Sequence, residues 1–492
     1  MKLYKITLFL GLCMGMSSCV DLTQTPDGFL TEEEYFKTKG AAIKAADGLY
    51  ISMWNSNYGF NSRMMRLNAG AGDITSSPTK PNNALNYIVD LQPSLTSNND
   101  DFAIMWKLFY NVVFDSNKII KFTSTEQIDA DPKVAIAVGE AYYMRALSYF
   151  YLVRLFGDVP MYLDNDNATA RMPRTEVEKV YDEAILPSLM KAMELLDNNS
   201  RSKTSSNPNH WAAKALLADV YMTMAGWPLN RGTEFYAKSA KESLDIIQSG
   251  KYSLTPKYED LWKENLKTET NEHMFALHHS AAQKVPSQYG KSFYPSDFYP
   301  TAGWSDYYGN EEFFLTYPED DRKNWNYMTD WASSEAGGDV VYYKDSKDGL
   351  PAISKYYDYN NGKPAASAQS NGLTAIYRYA DVLLMYAEAS NLATGSVNDM
   401  ALDCLNKVQA RAHSTLTTTR SSEEFDRAVF AERGWEFVAE FKRWFDLVRR
   451  EKLAEARPNA YNGSLFKANN HYLYPIPYEQ VQLTGWTNNP GY

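Results

Sequence analysis

Cysteine is scarce in this chain: 492 residues contain three, Cys13, Cys19 and Cys404. The first two lie in the N-terminal segment and Cys404 is left alone, which excludes an internal disulfide framework. Beyond the N-terminal segment no apolar run approaches the ~18 residues a membrane-spanning helix needs, so membrane contact of the body must come through an anchor or a partner. Positive charge is in deficit, with 49 Lys and Arg against 60 Asp and Glu and a formal net charge of −11. That balance leaves no electrostatic footprint for nucleic acid or an anionic lipid surface. Catalytic signatures are missing too: there is no G-x-S-x-G, no HExxH, no P-loop and no paired His/Cys metal spacing. His278 and His279 are the only close histidine pair, and adjacent residues on a strand point to opposite faces. The expectation is therefore no catalytic residue, no metal site and no cofactor.

What is present begins with residues 1–21. Lys2 and Lys5 precede an apolar run of 11 residues, Ile6 to Met16. The run is too short to cross a bilayer and has the make-up of a secretory signal core. It ends in Met16-Ser17-Ser18-Cys19. This small-small-Cys ending resembles a bacterial lipoprotein signal, which implies cleavage before Cys19 and lipidation of Cys19 as the first mature residue. The alternative is an ordinary secretion signal cut nearby without a lipid. Cleavage at Cys19 leaves 474 residues (492 minus 18) and takes the charge from −11 to −13, because Lys2 and Lys5 are lost.

The body reads as mostly helical. Residues 19–30 hold Pro26 and Gly28 and form an extended tether. Helices begin at Thr31-Glu32-Glu33-Glu34, a capping-box pattern, and Ile43, Ala46, Tyr50, Met53 and Trp54 recur at helical spacing. A loop region is expected over 58–95. Trp106, Phe109, Tyr110 and Val113 mark one helix, and Val134 to Phe156 a second that is apolar almost all round near its end and stopped by Gly157 and Pro160. A third helix spans Val177 to Leu196, with a kink expected at Pro187. Trp211 to Met224 and Tyr236 to Gln248 form a further pair. Within it Leu217, Ala218 and Tyr221, then Ala240, Leu244 and Ile247, match the two helices of a tetratricopeptide repeat. The second-helix spacing recurs at Ala401, Leu405 and Val408, with Cys404 on the same apolar face. From 251 to 375 the period disappears, with short β runs at Asp339 to Lys344 and Ile353 to Tyr357. Residues 376–492 return to helices, the last from Arg427 to Lys452, followed by an extended tail. The fold class expected is mostly α, with tetratricopeptide-like helical hairpins and a loop-rich irregular region carrying short β segments.

Four segments in order carry a family resemblance. They are Ala141-Tyr142-Tyr143-Met144-Arg145-Ala146 running on through Tyr149 to Pro160; Tyr377-Arg378-Tyr379-Ala380-Asp381 through Ala389; Glu432-Arg433-Gly434-Trp435-Glu436-Phe437 with Arg443-Trp444-Phe445-Asp446; and the tail Tyr474-Pro475-Ile476-Pro477 with Asn488 to Tyr492. Together the chain resembles the SusD/RagB family of outer-membrane nutrient-binding lipoproteins. The resemblance implies a right-handed superhelix of hairpins, surface exposure at the outer membrane through the lipid anchor, and docking as a lid on a TonB-dependent SusC-type transporter. It also implies that a glycan is held between lid and barrel.

Sugar recognition needs flat apolar faces for the C–H side of a pyranose and polar groups for its hydroxyls. From Tyr289 to Tyr359, 19 of 71 residues are Phe, Tyr or Trp, about twice the overall 14%. About two thirds of them are expected in the core. The glycan-binding candidates are Trp304, Tyr307 and Tyr308, which follow Gly303 among turn residues, together with Trp331. Trp54, Asn57 and Asp73 are candidates from the early loop, although Asn and Asp are also ordinary turn residues. Glu432, Arg433, Glu436, Glu440 and Arg443 share helical spacings and read as ion pairs fixing the final helix, as do Arg145, Arg154 and Asp158. Asp164-Asn165-Asp166-Asn167 looks like a calcium loop, but Thr169 and Thr175 stand where Gly and Glu are required. The function expected is glycan capture and delivery to the transporter without chemical change. The alternatives are a surface glycoside hydrolase using carboxylates such as Glu311, Glu312, Asp320 and Asp321, or a peptide-binding or structural accessory subunit of the transporter.

Overall fold

The computed structural model describes residues 30–56, 58–80, 85, 88–89, 97–166, 168–169, 171–356, 370–458 and 472–492. The expectations at Cys19 and Asn57 lie outside the described residues. Thr31 caps the helix Glu32–Phe36 by the reciprocal bonds its sequence predicts, with the Glu34 carboxylate accepting from the Thr31 N–H at 2.8 Å. Ala41–Trp54, Asp100–Phe122 and Pro132–Phe156 follow as helices, and the last packs against the other two and against Leu186–Leu195. Its stretch from Ala146 to Phe156 is buried apart from Arg154. Arg154 itself lies over the Phe150 and Phe445 rings at 3.5 and 4.0 Å, so the guanidinium serves as packing.

Hairpins then stack in sequence: His210–Ala225 on Thr233–Gln248, that helix on Tyr379–Thr394, and this one on Asp399–Arg411 and Ser422–Glu436. Small residues make the close approach possible; Ala212, Ala215, Ala218, Ala380, Ala387 and Ala401 are wholly buried. Cys404 is buried with Leu405 and Val408, and burial pushes its thiol up to about 12, which makes it an inert core residue.

Thr233–Gln248 packs directly on Tyr379–Thr394, although some 130 residues of sequence separate them. The loop-rich segment is thus an insertion between consecutive helices of the stack. Its neck is a two-stranded antiparallel sheet, His273–His278 against Leu373–Arg378, buried on both faces except at His278. His279 and His278 turn to different partners, Thr374 at 2.7 Å and Ser205 at 2.8 Å, as alternation along a strand requires. Within the insertion, Asp330–Ala332 pairs with Val340–Tyr342, and Tyr327–Met328 with Ala352–Ile353.

Three expectations are corrected. Residues 58–95 contain a helix, Phe60–Asn68, because Phe60, Met64 and Leu67 make an inward stripe that the surrounding Gly and Asn conceal. The helix expected over Val177 to Leu196 is interrupted just before Pro187 by a π-helical turn, Val180–Ile185. The helix expected over Arg427 to Lys452 ends at Glu436 and restarts at Arg443. Ala439 and Phe441 take positive φ, 57° and 48°, in the break. Such backbone is costly without glycine and persists where surroundings over-determine it.

A buried ion cluster is what over-determines it. Arg378, at the neck, reaches Glu272 (2.9 Å), Glu436 (2.5 Å) and Glu440 (2.8 Å). Arg411 joins Glu272 at 3.1 Å and also pairs with Glu436. From the insertion come Arg322, bound to Asp320 (2.6 Å), Glu436 (2.9 Å) and Glu432, and Lys355, bound to Glu440 at 2.6 Å. Lys355 also donates to the Val438 carbonyl at 2.9 Å, and Arg378 to the Glu436 carbonyl at 2.9 Å, so the open helix end keeps its hydrogen bonds. Burial alone would raise the carboxyls of Glu436 and Glu440, but the surrounding cations outweigh it: Arg411, Arg378 and Arg322 hold Glu436 well below the usual range, and Arg378 and Lys355 lower Glu440; Glu432 is shifted upward by burial.

Removing one partner from such a cluster strands the others. Glu436→Ala is expected to cost about 3–5 kcal/mol in denaturant unfolding. Because Glu436 and Glu440 are depressed in the folded state, their contribution is complete above the unfolded glutamate value of about 4.3 and falls away below it. Wild-type stability measured from pH 7 downwards should accordingly drop below about pH 4, and a smaller drop in Glu436→Ala checks the assignment.

Candidate functional site

The insertion needs a core of its own, and most of its aromatics supply it. Tyr307, Tyr308 and Trp331 are buried, at 3%, 0% and 3% exposure. Trp331 donates Nε1–H to Asp297 at 3.2 Å, and Tyr307 donates to the Ser62 carbonyl at 3.3 Å. Asp73 is buried as well and accepts from the Ala439 N–H at 3.2 Å, tying the early loop to the helix break; burial raises its carboxyl against the pull of Arg443. In the positions the structure gives them, these four side chains offer no free ring face or open acceptor to solvent. The described aromatics from Tyr289 to Tyr356 that stay out of the core are Tyr299, Trp304, Trp325 and Tyr342.

Trp304 is half-buried at the end of a tightly folded loop. A Cβ at Gly303 would come within 2.0 Å of the Tyr294 carbonyl oxygen, so only glycine fits before it. After it Ser305 takes φ 54°, fixed by its hydroxyl, which accepts from the Ser296 N–H at 2.6 Å and shares a hydrogen bond with Tyr308 at 3.0 Å. Tyr308 in turn donates to Asp348 at 2.6 Å. Asp348 also accepts from Ser77 at 2.7 Å and Thr79 at 2.5 Å. Burial would raise the Asp348 carboxyl, but these hydroxyl bonds together hold it below the usual range. One carboxylate therefore clamps the loop 305–308 to the loop 77–79.

The clamp brings Lys80 into the field of Asp306, whose carboxyl is raised by burial and lowered by a Ser292 bond, Arg66 and Lys80. Arg66 and Arg63 come from one face of Phe60–Asn68 and share Asp101, at 3.5 and 3.0 Å. Arg63 also sits 5.5 Å from the Tyr58 ring centroid, and Tyr58 is 51% exposed. The result is a face carrying Tyr58, Arg63, Arg66, Lys80 and Asp306, with Tyr307 beneath it and Trp304 on the loop that carries Asp306. Such a face can stack on an apolar plane and hydrogen-bond neighbouring hydroxyls. Sequence reading missed Arg63, Arg66 and Lys80; a helix starting at Phe60 is the signal that would have placed both arginines beside Tyr58. Trp54 belongs elsewhere: its Nε1–H is bound to the Pro286 carbonyl at 3.0 Å, and it lines a cavity that shares no residue with this face.

The carboxylates of the hydrolase alternative are engaged. Asp320 is buried against Arg322, and Glu311 is paired with Lys344 and lowered by it. Asp321 lies 2.7 Å from His413. Among the described residues no group of three or more His, Cys, Asp or Glu could hold a metal ion, and no helix is long and apolar enough to cross a membrane. At the calcium-like run, Lys121 pairs with Asp164 (3.7 Å) and with Asp166.

Stacked hairpins bearing an inserted, loop-built aromatic and polar face define a helical-repeat scaffold with one long irregular insertion. The family model described as "SusD family" matches residues 197–492, more than half of the chain, and one described as "Starch-binding associating with outer membrane" matches residues 28–222. The chain belongs to the SusD family. It is 29% identical to SusD-like protein P2 of Formosa agariphila over the whole of both chains. A SusD superfamily protein from Parabacteroides distasonis superposes with a TM-score of 0.78 at 26% identity, covering 94% of this chain and 100% of that one. A laminarin-binding SusD-like protein superposes at 0.74 and 22% identity, over 93% and 100%.

Asp348→Ala would leave the Ser77, Thr79 and Tyr308 hydroxyls without their shared acceptor. The expected cost is about 2–3 kcal/mol in chemical unfolding, with Asp348→Asn intermediate because its carbonyl still accepts.

Proposed function

We propose that this protein is a surface-exposed outer-membrane lipoprotein that captures a glycan on the face formed by Tyr58, Arg63, Arg66, Lys80, Trp304 and Asp306. It hands the glycan unchanged to a TonB-dependent SusC-type transporter. The observation that carries the reading is the pairing of aromatic rings left outside the core, Tyr58 and Trp304, with charged hydrogen-bonding groups held by a fixed frame. Family membership supports it, as does a structural neighbour described as laminarin-binding. The family description of outer-membrane association, together with the lipoprotein-like ending at Cys19, supports the location. Delivery to the transporter rests on the family resemblance.

The face suits capture better than hydrolysis. A glycosidase needs two carboxylates flanking the bond. Here Asp306 stands in the field of Arg66 and Lys80, and the nearby Asp101 is buried and shared by Arg63 and Arg66. Calorimetry against a panel of neutral oligosaccharides, laminarin fragments included, should find a binder. Trp304→Ala and Tyr58→Ala should each weaken it about tenfold, since a stacking ring is worth ~1–2 kcal/mol. Binding unchanged in both variants, or release of cleaved sugar over many turnovers, contradicts the reading.

A further inference from the structure

A second cavity, of about 280 Å³, opens between the helix Ala41–Trp54 and the strand end at His278, beside the neck of the insertion. Its walls include Asp47, Tyr50, Trp54, Asn207, His278 and Gln283. Trp54, Tyr50, Asp47 and His278 are held by the fold. The Trp54 indole is pinned by the Pro286 carbonyl at 3.0 Å, and the turn that follows admits only glycine at 59, where a Cβ would lie 1.9 Å from the Trp54 carbonyl oxygen. Tyr50 donates to Glu140 at 2.8 Å, and Glu140 is wholly buried beneath the cavity. Arg201 neutralises that carboxylate at 2.9 Å and Asp47 at 2.7 Å. His278 accepts or donates at Nε2 with Ser205 at 2.8 Å, and burial pulls it down to about 3, so its ring is uncharged at neutral pH.

The chemistry of this lining is selective. Among the described residues that line it there is no Lys or Arg for an anionic ligand, and Arg201 nearby already faces two carboxylates. Beside the neutralised Asp47, what remains is an indole, a phenol ring, two imidazoles, a hydroxyl, two side-chain amides and a few aliphatic groups. That set matches a neutral polyol with one apolar face. The volume equals that of about nine waters, at the small end of ligand pockets, which run from ~300 Å³ upwards. It suits one sugar ring.

From this we propose a second saccharide subsite, at Trp54 and Gln283, that takes one terminal unit of a neutral glycan. The ligand class rests on the glycan reading above, while the site rests on its own residues. Ligand occupancy here would touch both the first long helix and the neck strand, so it would brace the insertion against the scaffold.

The test is saturation-transfer NMR on the full chain with glucose, galactose, mannose and xylose, and with glucuronate as an anionic control. The variants are Trp54→Ala, Gln283→Ala and Trp304→Ala. Gln283 is exposed, so its variant keeps the fold. At least one neutral sugar should bind to wild type and to Trp304→Ala, at least tenfold more weakly to Trp54→Ala, and severalfold more weakly to Gln283→Ala. Glucuronate should bind at least tenfold more weakly than that sugar. The subsite is overturned if no neutral monosaccharide binds, if Trp54→Ala and Gln283→Ala both bind as wild type, or if glucuronate binds equally. An oligosaccharide lost with Trp304→Ala and untouched by Trp54→Ala sinks the subsite alone. One lost with Trp54→Ala and untouched by Trp304→Ala supports the subsite and sinks the main face.

Discussion

Nine charged side chains meet without solvent at the root of the insertion, and the rest of the molecule is arranged around keeping them paired. Arg378 and Glu272 stand at the ends of the neck strands, Arg411 and Glu436 at helix ends of the stack, and Arg322 and Lys355 on the insertion itself. Burying so much charge is costly, and a well-packed apolar set would often be as stable. What the cluster adds is direction. Each guanidinium donates only in its plane, so the helix must stop at Glu436, and Glu440 must swing back through strained backbone to reach Lys355 and Arg378. A loop-rich segment with little regular structure is thereby given one seat on the scaffold.

The face proposed for glycan capture inherits its geometry from that seat. Arg63 and Arg66 belong to the early helix Phe60–Asn68 and Tyr58 to the turn before it, whereas Trp304 and Asp306 belong to the insertion; Lys80 follows the loop that Asp348 clamps. Neither half presents the face alone. The aromatic abundance of the insertion serves this arrangement indirectly, since 13 of its 17 described rings from Tyr289 to Tyr356 pack inward and stiffen the loops that expose the others.

Local signals in the sequence were enough for the helical stack: the Thr31 cap, the apolar run before Gly157 and the small-residue hairpins all lie where their spacing puts them. The SusD-like character was legible in the ordered segments from Ala141 to Tyr492. The helix break at 437–442 was not, because its cause is Lys355, more than 80 residues away in sequence. The same holds for the face. Tyr307, Tyr308 and Trp331 look like Trp304 in local context, and only their partners Ser62, Asp348 and Asp297, brought in from a distance, draw them into the interior. Arg63 and Arg66 were hidden for a related reason, as the helix that aligns them begins among Gly, Asn and Ser.

The central claim is that the buried ion cluster couples the insertion to the helical stack. Hydrogen–deuterium exchange of Arg378→Met tests it most directly, because Met keeps much of the volume and removes the charge. The account predicts that amide protection falls in 291–308 and 437–442 while Pro132–Phe156 keeps its own. Protection unchanged in those two segments, or lost evenly along the whole chain, would contradict it.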